Sequence, residues 1–231
     1  MSWVTTFLTS PTGKKVIMSL TGLFLCTFLA IHMSGNMALL NNDGGEAFNA
    51  YAAFMTSFLP VKIVSYGTYA IILIHIFQGL LLWRENRAAR PVGYAKKSTI
   101  GSSWASRNMA LLGTVVMVFL VVHLYTFWFQ MKFGTIPDDV HGNKDLYSLV
   151  ETAFAQWWYV LFYLISLVAL AYHLMHGIQS GFQSLGVSHS KYTPLIKIVG
   201  YGFAVVIPFL FAVQPMYMLL KSMGVLDPLL K

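Results

Sequence analysis

The chain has 231 residues, of which 57% are hydrophobic and only 10% charged, whereas a water-soluble domain clothes its surface with roughly 25% charged residues. That excludes an ordinary soluble enzyme. A net charge of +7 invites a nucleic-acid reading, but the cations follow membrane topology instead, and nucleic-acid binding is excluded too.

Taken in chain order, Lys14 and Lys15 precede the first apolar stretch. The stretch is too long for a signal-peptide core and lacks a small-residue cleavage site, so it is expected to remain as the first helix. A helix needs about 20 apolar residues to cross a bilayer. Runs of that kind predict five helices, I to V, at approximately 16–40, 63–83, 107–131, 155–182 and 195–220. None contains Asp or Glu, and Arg107 and Lys197 sit only at the ends. In lipid each segment must satisfy its own backbone, so these are helices. The alternation of barrel strands is absent. The expected fold is an all-α integral membrane bundle of five helices, with residues 1–231 as a single membrane domain.

The connections alternate in character. Residues 41–62 start as a Gly/Asn/Asp turn and then suggest a short interfacial helix. Residues 84–106 read as a basic loop broken by Pro91 and Gly93. Residues 132–154 are expected to be a polar loop, and 183–194 a short loop ending in Pro194. Pro208 and Pro215 are expected to kink helix V. Trp128, Trp157, Trp158 and Tyr159 read as an interfacial aromatic belt.

Lys14, Lys15, Arg84, Arg87, Arg90, Lys96, Lys97, Arg107, Lys191 and Lys197 fall on one side of this arrangement. Lys62, Lys132, Lys144, Lys221 and Lys231 fall on the other, together with Asp43, Glu46, Asp138, Asp139, Asp145 and Glu151. The excess of cations places the N-terminus in the cytoplasm and the C-terminus outside. Cys26 is the only cysteine, which excludes an internal disulfide, a cysteine-held iron–sulfur cluster and a C-x-x-C-H haem attachment.

With no acids in the spans, histidine carries the chemistry, because ionisable groups inside a membrane are rare and mostly functional. His32 lies on helix I, His75 on helix II, His123 on helix III, and His173 and His176 on helix IV; His141 and His189 are in loops. At 1.5 Å per residue, His32 and His123 each lie about 12 Å from the outer ends of their helices. His75 and His173 lie about 12–14 Å from the inner ends of theirs. Four histidines thus form two pairs at two depths. Two imidazoles at one level on facing helices suit a six-coordinate haem, which passes electrons and leaves no position for oxygen. Gly79 and Gly177 follow His75 and His173 by four residues, and Gly35 follows His32 by three. Glycine there leaves a flat ring unobstructed, although close helix packing uses small residues equally. His176 points about 60° away from His173, so one haem uses only one of them. His173 is preferred because its glycine spacing repeats that of His75. His176 is left to a haem propionate, a quinone or packing.

These residues, with the N-terminal stretch SPTGKKVIMSLTGLFLCTFLAIHMSGN and the H-x-x-x-G turn of helix IV, resemble the di-haem cytochrome b membrane-anchor subunits of succinate:quinone oxidoreductases. The resemblance covers nearly the whole chain. It implies an outer haem b on His32 and His123 and an inner haem b on His75 and His173, as their iron ligands. It also implies flavoprotein and iron–sulfur subunits on the cytoplasmic side, a quinone (menaquinone in such families) near the outer side, and a bacterial cytoplasmic membrane. Dicarboxylate chemistry would belong to another subunit, this chain being the electron-transfer and quinone-reactive one. Some fumarate-reducing relatives carry a glutamate two residues before the helix IV ligand. Here that position is Ala171, so outer protons would come from loop groups such as Asp43 or Glu46. Propionate partners stay open among Arg84, Arg87, Arg107, Lys62 and Lys132.

The rivals are a cytochrome b of a hydrogenase or formate dehydrogenase, a proton-coupled transporter using a histidine relay, and a purely structural anchor. A transporter's broken helices and inverted repeats are not apparent. A bare anchor leaves the two-level histidines unexplained.

Overall fold

The structure, a computed structural model, describes residues 2–89 and 103–226. Arg90, Pro91, Gly93, Lys96 and Lys97 of the expected basic loop, and Lys231, lie outside the described residues. Among the described residues every regular element is helical, apart from an isolated bridge between Asp138 and Lys144. Five spans are long and apolar enough to cross a membrane: Pro11–Leu40, Leu59–Ala88, Met109–Phe133, Trp157–Ser184 and Thr193–Ser222. The protein is a multi-pass helical membrane protein. Large apolar side chains such as Leu73, Phe77, Val121, Ile198 and Phe209 stand exposed along these helices, as a lipid-facing surface requires.

Helix α1 (Trp3–Thr9) is capped by the Ser2 hydroxyl, which accepts from the Thr5 N–H. Helix α2 (Pro11–Asn36) opens on a proline, whose missing N–H costs nothing at that position, and continues as a 3-10 turn, Met37–Leu40. Then come α3 (Glu46–Ser57), α4 (Leu59–Ala88), α5 (Trp104–Arg107) and α6 (Met109–His123). A π-helical turn, Leu124–Phe129, links α6 to α7 (Gln130–Phe133). The chain ends with α8 (Leu146–Phe154), α9 (Trp157–Ser184) and α10 (Thr193–Ser222).

Several elements depart from the sequence expectations. Helix α4 runs past its apolar stretch at both ends and takes in Lys62, Arg84 and Arg87. It also takes in Glu85, which pairs with Lys14; charge ended the apolar run without ending the helix. The expected polar loop at 132–154 contains α8. Its cap is Asp145, which accepts from the Ser148 N–H, and Tyr147, Val150 and Phe154 form its buried face. Tyr159, expected in an interfacial belt, is buried instead, while Trp157 and Trp158 are exposed. Pro208 and Pro215 lie inside α10, as the sequence placed them in helix V.

The chain forms two compact units. The first comprises Met1–Phe28, Gly67–Val115 and Ala169–Val205. Its small buried core joins Ala105, Leu112 and Ala169, with Met109 and Val115 against them. The second comprises Leu29–Tyr66, Val116–Val168 and Val206–Lys231. Its larger core gathers Leu39, Phe48, Tyr147, Val150, Tyr163 and Met218 among others.

A buried polar staple holds the second unit. Asn49 is 2% exposed; its Nδ2 donates to Asp145 Oδ1 at 3.1 Å, and its Oδ1 accepts from the Tyr147 N–H at 2.9 Å. Lys221 Nζ donates to the Tyr147 hydroxyl at 2.8 Å and to Glu151 Oε1 at 3.0 Å. Every partner in this set is satisfied, the condition under which buried polar groups stabilise rather than cost. Gly45, at φ 94° before α3, is needed there for two reasons. Its backbone is left-handed, and any Cβ would collide with the Tyr147 ring at 2.2 Å.

Candidate functional site

In the first unit, His75 on α4 and His173 on α9 face one another with ring centroids 6.3 Å apart. Thr21 Oγ1 of α2 lies 3.1 Å from His75 Nδ1. A methyl group on Gly22 would stand 3.2 Å from His75 Cε1, and one on Gly113 would stand 3.9 Å from His173 Cε1. The ring edges therefore sit against bare backbone. Beyond Gly177 there is nothing within 4 Å of a built Cβ, and Gly79 has only the Met18 methyl at 3.6 Å. Among the described residues of this unit, three polar atoms are buried without a hydrogen-bond partner: His173 Nδ1, Gln78 Oε1 and Gln179 Nε2. His176 lies one turn beyond His173, half-buried.

In the second unit, His32 on α2 and His123, the last residue of α6, stand with ring centroids 5.8 Å apart. His123 Nδ1 is 3.0 Å from the Tyr163 hydroxyl, which accepts from Tyr159 at 3.3 Å. Phe119 and Phe127 flank His123 at centroid distances of 5.7 and 5.4 Å, and Phe211 flanks His32 at 5.7 Å. Asn36 Nδ2 donates to the His32 carbonyl at 2.7 Å and lies 3.3 Å from His32 Nδ1. Gly35 does not face open space. It sits beneath the Tyr51 ring, which a Cβ would meet at 2.2 Å.

The structure thus brings His32 against His123 and His75 against His173, and each pair lies within one unit. Metal–imidazole bonds of about 2.0–2.1 Å, plus about 1.2 Å from each nitrogen to its ring centre, place two opposed rings about 6.4–6.6 Å apart. The His75–His173 pair, at 6.3 Å, comes close to that spacing, and the His32–His123 pair, at 5.8 Å, is tighter than it. Among the described residues no group of three or more His, Cys, Asp or Glu could hold an ion. Structural zinc sites take four protein ligands, so two opposed imidazoles suit a metal whose other positions a macrocycle supplies. The open space beyond Gly177 fits the flat face of such a ring, and the unpartnered Gln179 Nε2, a donor, fits one of its carboxylates. Leaving such a donor buried and unpaired costs about 1–3 kcal/mol.

His141, one of the two loop histidines, reaches Glu46 Oε1 at 3.3 Å. Around His189, the backbone N–H donates to Thr193 Oγ1 and Nδ1 accepts from the Lys191 N–H. Both belong to loop structure. Sequence reasoning missed Thr21, Gly22, Gly113 and Tyr163, and with them Gln78 and Gln179. The available signal was that polar side chains in apolar spans must find partners. No family model, curated protein or solved structure matches the chain.

Proposed function

We propose that the chain is a di-haem cytochrome b, the membrane-anchor subunit of a succinate:quinone oxidoreductase. The observation that carries this reading is the pair of neighbouring imidazoles in each unit, near the spacing of a bridged metal in the first and tighter in the second, with no third ligand grouped with them among the described residues. When bound, haem iron between two neutral imidazoles supplies one-electron transfer without an open coordination position. His75 and His173 hold one haem, and His32 and His123 the other. Gln179, whose Nε2 is a buried donor without a partner, stands ready for a carboxylate of the first, two turns beyond His173. Phe119, Phe127 and Phe211 exclude water around the second pair, which keeps the surroundings apolar and ligand exchange slow.

The sequence resemblance supports the remainder. The N-terminus lies in the cytoplasm of a bacterium, where flavoprotein and iron–sulfur subunits dock and carry the dicarboxylate chemistry. The quinone, menaquinone by the resemblance, exchanges electrons with this chain, the first pair serving the inner haem and the second the outer.

The test is a reduced-minus-oxidised visible spectrum of the purified protein with a haem count, repeated for single substitutions of His32, His75, His123 and His173. Two b-type haems per chain are expected, with each substitution weakening only the haem of its own pair. A preparation made with ample haem that shows no Soret band would sink the cytochrome reading and favour a histidine relay.

A further inference from the structure

We propose that Thr21 is the positioning residue of the haem held by His75: it dictates which imidazole nitrogen is free to bind iron. The inference rests on the haem reading and deepens it. Thr21 is buried in α2, and its hydroxyl has a single hydrogen to give. Thr21 Oγ1 lies 2.8 Å from the Ile17 carbonyl and 3.0 Å from the Met18 carbonyl. Two oxygens at 2.8 Å repel unless a hydrogen lies between them, so the hydroxyl hydrogen is committed to its own helix. Only lone pairs remain to face His75 Nδ1 at 3.1 Å. Hence Nδ1 carries the imidazole proton and donates it to Thr21, and Nε2 keeps the lone pair that a metal needs.

Gly22 completes the seat. With no side chain, it lets the Cε1 edge of His75 rest against the backbone, where even a methyl would come within 3.2 Å. The ring therefore has a chosen tautomer and a chosen orientation before any iron arrives. A donated Nδ1–H also makes the opposite nitrogen a stronger donor, which favours ferric over ferrous iron.

The contacts described for the other three histidines differ in kind. His173 Nδ1 has no partner among the described residues. His123 meets a phenol that can give or accept its hydrogen. His32 Nδ1 lies 3.3 Å from the amide nitrogen of Asn36, a donor rather than an acceptor. His75 is thus set for ligation by a partner whose own proton is already spent.

The experiment is a redox titration with low-temperature electron paramagnetic resonance on the purified protein carrying Thr21→Val, Thr21→Ser and Thr21→Ala. Thr21→Val keeps the shape and removes the acceptor. It should raise the midpoint potential of one haem, shift that haem's g values, and weaken its retention about 10–100-fold, the usual effect of losing an outer partner of a metal ligand. The second haem acts as the internal control for folding and should stay unchanged. Thr21→Ser should restore the wild-type potential and Thr21→Ala should not, a contrast that decides the matter even if the valine variant fails to assemble. Unchanged potentials and g values in both Thr21→Val and Thr21→Ala would overturn the role of Thr21 while leaving the cytochrome reading intact. Wild-type protein without haem would overturn the reading itself.

Discussion

The two units build a histidine pair by opposite means. In the second unit the space around His32 and His123 is filled with rings: Phe119, Phe127, Phe211 and the phenol of Tyr163. In the first unit the surroundings of His75 and His173 are defined by what is missing, at Gly22, Gly113 and Gly177, and by one hydroxyl at Thr21. A filled site is rigid because its walls touch. A bare site is rigid only if a hydrogen bond fixes the ring that stands in it. The two should therefore fail in opposite ways, the first when side chains are added and the second when they are removed.

The largest effect comes from addition. Gly22→Leu would drive several carbons past a point where one methyl already lies 3.2 Å from His75. On the proposed di-haem reading, the haem of the first pair should be lost and that of the second kept, so the haem-to-chain ratio falls from two to one. Retention of both would show that His75 has room to move and that the first site is not built by absence. Next comes removal. Tyr163 is buried beneath His123, Phe119 and Phe154, and Tyr163→Ala opens a cavity that costs about 3 kcal/mol. A lowered midpoint of thermal unfolding in detergent should accompany broadening of the second haem's spectrum alone. Equal damage to both haems would dissolve the distinction between the units.

The smallest effect concerns the cap of α8 in the second unit. Partial burial pushes the Asp145 carboxyl up, but the Ser148 hydroxyl and N–H, with the Asn49 amide, outweigh it and hold the group below its ordinary value. Its charged form is the one the fold favours. That contribution is complete above the unfolded value of 3.8 and disappears as pH falls through the lower folded value. The protection factor of the Ser148 amide, the intrinsic exchange rate divided by the observed rate at the same pH, should fall over that acid range, and Asp145→Asn should blunt the dependence. An exchange profile with the same acid dependence in Asp145→Asn would assign the effect elsewhere.

How much of this was legible in the sequence varies by kind of feature. Apolar runs located all five spans, because lipid tolerates nothing else, but the ends slipped where charged residues ride on helical turns, as Lys62 and Glu85 do. Helix α8 was readable in hindsight from Asp145 and the spacing of Tyr147, Val150 and Phe154, yet the polar content of the segment masked it. Counting residues along the helices sorted the four histidines by depth, since rise per residue is constant. Rotation about the helix axes is not constant in that way. No count says that Thr21 turns toward His75, that Tyr163 turns toward His123, or that Tyr159 turns inward rather than to the interface. Those contacts depend on how helices far apart in sequence face each other.

The π-helical turn at Leu124–Phe129 begins at the residue after His123. Such turns carry one residue more than an α-helix would use over the same stretch. The extra residue works as a phase shifter: helix positions up to His123 keep one angular setting, and those beyond it keep another, offset by about 100°. Drift by insertion or deletion in this stretch would therefore leave the histidine where it is and rotate only the residues on its C-terminal side, including Met131, whose carbonyl anchors Lys144. His123 and the loop beyond it can thus change independently, although one continuous span, Met109–Phe133, leads from one to the other.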